Sequence, residues 1–138
     1  MRKAEKYLNR VEWLDRHIRQ KIDELTCINS IAENLQGATV SITKVKTQLK
    51  HDKFEKSMSK LVDLSNEISA AIEEYADLKR EVSRRIDMLD NPQQEALLRG
   101  KYINLKTYEQ LGESLNRSRN WAYVNNQKAV AAFAKKYF

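Results

Sequence analysis

The sequence predicts an all-α fold: a long antiparallel coiled-coil helical hairpin followed by a three-helix helix-turn-helix domain. Three observations predict it. Apolar residues recur at coiled-coil spacing through two long stretches. Only 3 Gly and 1 Pro occur in 138 residues, so few turns are available. The single proline follows Asn91, where the second stretch ends and shorter amphipathic segments begin. That boundary divides the chain into a hairpin over 1–90 and a helix-turn-helix domain over 91–138.

From about Ala4 to Leu35, Ala4, Val11, Ile18, Leu25 and Ala32 repeat at one heptad position, and Tyr7, Leu14, Ile28 and Leu35 repeat at another. Lys21 interrupts the second series, and Ile22 beside it partly compensates. A stripe this narrow, sustained for more than four heptads, is a coiled-coil seam. A second seam runs from about Asp52 to Leu89 through Phe54, Met58, Leu61, Ser65, Ile68, Ile72, Tyr75, Lys79, Val82, Ile86 and Leu89, with Ser65 and Lys79 its polar members. Antiparallel pairing puts Lys21 near Glu67 and Lys79 near Glu12; polar seam residues of this kind fix register or oligomer state. The same periodicity serves one chain or two, so a homo-oligomer through the coiled coil stays open.

Between the two seams, residues 36–51 lack a helical stripe and are read as the reversing loop. Val40, Ile42 and Val45 alternate as a short strand would, without a partner strand. Lys44, Lys46, Lys50, Lys53, Lys56 and Lys60 make this tip basic, which suits either a solvated loop or contact with nucleic acid.

Asn91 suits an N-cap, Pro92 the first helical position and Gln94 the reciprocal cap. Ala96, Leu97, Leu98, Tyr102 and Ile103 give that helix an apolar face. Thr107 and Gln110 form a second capping box, and Leu111 and Leu115 lie on one side of the helix they open. Asn116 tolerates the left-handed conformation that ends it. Ser118 caps the last helix, about 119–134, whose inward stripe is Ala122, Ala129, Val130 and Phe133. Gly112 falls where the two helices cross and a small side chain is needed.

On the last helix, Asn120, Val124, Gln127 and Lys128 project away from that stripe, flanked by Trp121 and Tyr123. Asn and Gln pair bidentately with adenine and Arg with guanine, and Arg119 and Asn120 occupy the first turn, which reaches base edges. Thr107 and Ser118 suit phosphate contact at the two helix starts. Lys106, Arg117 and Lys128 add salt-dependent attraction. Residues 91–138 hold eight Lys/Arg against three acids, +5 of the chain's net +6. The positive field therefore sits on this segment, as a phosphate footprint requires, although a merely solvated basic tail would carry the same charge.

Other classes fit poorly. There is no Gly-rich phosphate loop, metal-ligand cluster or nucleophile–base arrangement, so no enzyme activity, metal or cofactor is expected. Cys27 is the only cysteine and reads as a small hydrophobe. No apolar run approaches the roughly 20 residues of a membrane span, and MRKAEKYLNRVEW is charged from its start, unlike a signal peptide. Bacterial cytoplasm, in association with the nucleoid, is the expected location.

The segment from Asn91 to Phe133 resembles region four of bacterial RNA polymerase sigma factors through Pro92, Thr107, Glu109, Leu111, Gly112, Leu115, Ser118 and Ala129. With a helical hairpin before it, the chain is similar to the sigma-region-four-like regulators of phages and prophages in Gram-positive hosts, the group that includes ArpU-type late-gene regulators. The resemblance implies a sequence-specific regulator that binds double-stranded DNA, with RNA polymerase as a further partner. Two residues depart from the pattern. Arg117 stands where the turn usually has an apolar group, and Asn126 falls on the inward stripe, where Trp121 is expected to fill the space. The rival reading is a structural or assembly protein, as in phage packaging, whose coiled coil is the active part and whose helix-turn-helix is a docking domain.

Overall fold

The chain folds into α1 (Arg2–Gly37), α2 (Lys44–Asp87), α3 (Pro92–Leu98), a π-helical turn over Arg99–Ile103, α4 (Tyr108–Ser114) and α5 (Arg119–Tyr137). It is an all-α protein, with no strand among the described residues. The computed structural model describes the backbone of residues 2–37 and 44–138, and the side chains of 2–34 and 51–138. α2 begins at Lys44, not near Asp52 as the loop over 36–51 required; no Gly or Pro between 44 and 51 stops a helix there. The alternation expected for a strand fails at Val45, which is helical, while Val40 and Ile42 lie outside the described residues.

Residues 1–15 and 74–138 form one compact unit and residues 16–73 another. In the first, Ala4, Leu8, Val11 and Leu14 of α1 and Leu78, Val82 and Ile86 of α2 share one core with Leu97, Leu98, Tyr102, Ile103, Leu111, Ala122, Ala129, Val130, Phe133 and Ala134. Asn91-Pro92 is a helix boundary, and this core runs across it. Within the unit α1 and α2 are antiparallel, since Tyr7 donates to Glu81 (3.0 Å) and Arg10 to Glu74 (2.5 Å). Arg99 ties the π-turn to α2 through Ser83 (2.9 Å) and Asp87. Tyr137 donates to the carbonyl of Arg85 (2.8 Å), and Phe133 packs among the rings of Tyr7, Tyr137 and Phe138 with centroids 4.8 to 6.3 Å apart.

In the second unit Ile18 and Ala32 of α1 and Leu64 and Ile68 of α2 are buried. Lys21 meets Glu67 at 2.7 Å, as the antiparallel register requires. The hydrogen bond from Lys21 holds the Glu67 carboxyl below its ordinary pKa. Cys27 is exposed rather than packed as a hydrophobe.

The inward series of α2 differs from the expected one at Met58, Ser65, Ile72 and Lys79 and agrees with it at Val82 and Ile86. Leu64 is buried where Ser65 was expected, and Leu78 where Lys79 was expected; Met58 and Ile72 are exposed. Lys79 instead places its ammonium 5.4 Å from the Tyr75 ring centroid. Both series have coiled-coil spacing, so periodicity alone does not choose between them. Burying a leucine contributes roughly 1.5–3 kcal/mol, whereas burying a hydroxyl or ammonium costs free energy. That difference sets the register.

Candidate nucleic-acid interface

Local capping builds this region. Asn91 Oδ1 accepts from the amides of Gln93 (2.9 Å) and Gln94 (3.3 Å), with Pro92 at the first helical position. Thr107 Oγ1 accepts from the Gln110 amide (3.2 Å), and the Gln110 side chain accepts from the Thr107 amide (3.0 Å). α4 ends in a Schellman arrangement: Arg117 donates its amide to Gly112 (2.8 Å) and Asn116 to Glu113 (3.1 Å), with Asn116 at φ 56°. Ser118 Oγ then accepts from the Trp121 amide (3.1 Å) and opens α5. These features were legible in the residue types. Leu105, also left-handed at φ 53°, was not.

Gly112 is where α4 meets the start of α5. A Cβ there would lie 2.8 Å from the carbonyl oxygens of both Arg117 and Ser118. Those are backbone atoms, so the turn has no room for a larger residue. Arg117 is exposed, with its guanidinium 5.2 Å from the Trp121 ring centroid. This cation–π contact accounts for a charged residue at the end of a Schellman turn, where an apolar contact is usual.

α5 has two distinct sides. Ala122, Asn126, Ala129, Val130 and Phe133 are buried, so Asn126 itself occupies the inward slot assigned to Trp121, which is half-buried beside Arg117. Arg119, Asn120, Tyr123 and Lys128 are exposed, and Gln127 is half-buried. Val124 is 41% exposed between Asn120 and Gln127, an apolar group suited to a thymine methyl and absent from the expected contact set. Thr107 and Ser118 are exposed at the two helix starts, and Lys106 is half-buried. Both hydroxyls accept from their own helices yet keep a proton to donate to phosphate.

Behind the exposed side lies a polar cluster that the sequence reading missed. Asn126 Nδ2 donates to the hydroxyls of Tyr102 (3.2 Å) and Tyr108 (3.5 Å), while its Oδ1 has no partner among the described residues. Burial pushes the Tyr102 hydroxyl up to about 12 and raises that of Tyr108. The Tyr108 ring meets Tyr123 edge-on at 5.2 Å, and the Lys101 ammonium sits 4.3 Å from its centroid. An asparagine on an apolar stripe must find buried polar partners, and following that rule across to α4 would have pointed to Tyr108.

No helix among the described residues is long and apolar enough to cross a membrane. No curated protein and no solved structure matches the chain. The model of the family described as "Protein of unknown function (DUF1492)" matches residues 36–134, and the chain belongs to that family.

Proposed function

We propose that the chain is a sequence-specific DNA-binding regulator of phage or prophage transcription that reads DNA with α5. One observation carries the reading. α5 buries one side and turns Arg119, Asn120, Tyr123 and Val124 outward, with Gln127 half-buried beside them, directly after a tight turn from α4. These side chains offer amide, guanidinium and methyl groups to base edges. Lys106, Arg117 and Lys128 supply charge, and the hydroxyls of Thr107 and Ser118 supply donors, for the phosphates on either side. The resemblance to sigma region four adds RNA polymerase as a partner and the cytoplasmic nucleoid as the location. No cofactor enters the proposal.

The test is binding to promoter DNA from the chain's own genome across a salt series. Arg119→Ala combined with Gln127→Ala should lower the affinity for the preferred promoter while leaving binding to unrelated DNA nearly intact. Unchanged preference would remove α5 as the reader.

A second reading, an assembly protein working through its long helices, draws on the exposed Met58, Val62 and Ile72 of residues 16–73. Removing residues 91–138 cannot separate the two readings, because that segment completes the core around Leu8 and Val82. Met58→Lys with Val62→Lys in the full chain can separate them. A regulator keeps its DNA, whereas an assembly protein loses its partner or its oligomeric state.

A further inference from the structure

The seam between α1 and α2 in residues 16–73 has two unlike edges. Along one, Lys21, Glu24, Lys60, Asp63 and Glu67 gather round a cavity, and Lys21 meets Glu67 at 2.7 Å. The other carries Met58, Val62, Ser65, Ser69 and Ile72 of α2, with Ile22 of α1 beside them. The α2 positions recur at intervals of four and three, so they form one stripe, roughly a quarter-turn round the helix from the buried Leu64 and Ile68. Ile22 follows Lys21 and turns to the same edge, away from Glu24. The four apolar side chains are 41 to 56% exposed, and none of the six residues is charged. Two helices cannot cover such a stripe by themselves, because each already spends its seam on the other.

We infer that this stripe pairs with the same stripe of a second copy, the two α2 helices running antiparallel about a two-fold axis. The order of side chains suits that partner. When the stripe is laid against itself in the opposite direction, Val62 comes beside Ile72 of the second copy, and Ser65 beside Ser69 of the second copy. The small pair lets the helices approach at the axis, and the large pairs fill the space on either side. Each contact occurs twice, as a two-fold interface requires. From residue 58 to residue 72 the stripe is about 21 Å long, and with Ile22 it is two helices wide. Two such faces together cover on the order of 1,000 Å², about the least that a specific contact needs. The exposed carboxylates of Glu55 and Glu73 border its outer side, so nucleic acid and anionic lipid are poor occupants. Pairing of this kind serves a regulator as well as an assembly protein, so retained DNA, whatever the oligomeric state, marks the regulator.

The experiment is sedimentation equilibrium of the full chain over a concentration series, in which the unmutated protein should pass from monomer to dimer in the micromolar range. Ser65→Lys with Ser69→Lys puts like charges across the two-fold axis and should weaken pairing about a hundredfold. Ser65→Glu with Ser69→Glu should do the same. Both serines are exposed, so each charged chain should keep the helix content and urea midpoint of the unmutated protein. An equimolar mixture of the two charged chains should pair again, because each lysine then meets a glutamate. Unfolded protein could not give that recovery. Charged variants that pair like the unmutated chain would overturn the inference, and so would a mixture that stays monomeric. An unmutated chain that is monomeric throughout would overturn it too, whether or not the stripe then takes up another protein or a vesicle of anionic lipid. None of these outcomes depends on DNA, so loss of the proposed function and loss of the pairing are told apart.

Discussion

Residues 1–15 and 74–138 bury Phe133, Leu8, Ile86, Leu97, Leu98 and Leu111 almost completely, drawing on all five helices. Residues 16–73 have only two helices to work with. They bury Ile18, Ala32, Leu64 and Ile68 and leave Ile22, Ile31, Met58, Val62 and Ile72 exposed. Two helices facing each other can cover only a narrow stripe on each, whereas a third and fourth element let a side chain be enclosed from several directions. The contrast also divides the chemistry. The multi-helix unit can house a buried amide and two tyrosine hydroxyls behind its outward side, while the two-helix unit carries its polar pair, Lys21 and Glu67, near solvent.

The largest test of this contrast is truncation of one core residue in each region. Phe133→Ala should cost about 3–5 kcal/mol, and Ile68→Ala about 2 kcal/mol, at the low end for its type because its site is less enclosed. Native-state hydrogen exchange, which follows each unit's amides separately, measures both. Equal costs would mean that the two regions are equally dense. A smaller effect is expected at the tightest point of the larger unit. Gly112→Ala should destabilise by about 1–3 kcal/mol, because the new methyl meets backbone carbonyls that no rotamer change can move; urea denaturation followed by Trp fluorescence reads this. The smallest effect comes from alkali. The Tyr102 hydroxyl is raised from 10.0 to about 12 by burial, so its contribution is fully present below pH 10 and is lost as pH rises through 12. By pH 11 the loss from Tyr102 should be about 1.4 kcal/mol. Tyr7, raised to about 12 by burial and then by its bond to Glu81, acts in the same direction. Tyr102→Phe should flatten the slope between pH 10 and pH 11; an unaltered slope would mean that the hydroxyl is not desolvated.

What was legible in the sequence followed from local rules. The caps at Asn91, Thr107 and Ser118, the left-handed Asn116 and the small residue at 112 depend on neighbours within a few positions, and the structure has each of them. The register of α2 was not legible in the same way. Met58 and Ile72 have the right spacing and the right polarity, and only the competing demand of Leu64 and Leu78 for burial decides against them. The core shared by Leu8, Val82 and Phe133 joins positions too distant for any periodicity to link. In the candidate interface, which α5 residues face outward could be read from the helical wheel. The support behind them could not, because Tyr108 lies on another helix, beyond the reach of the wheel of α5.

The ring of Tyr7 lies 5.6 Å from that of Phe138 and 6.1 Å from that of Phe133. A core closed between α1 and α5 has consequences for the order in which it forms during synthesis. α1 emerges from the ribosome with Leu8, Val11 and Leu14 exposed, and it can pair with α2 once that helix follows. The enclosure around Phe133 must wait until α5 has been translated. For that interval the part of the α1 stripe that α5 encloses lacks its native cover, which exposes it to chaperones and to other nascent chains. Pulse proteolysis of ribosome-stalled chains should find α1 protected from residue 16 onward before it is protected at its first turns.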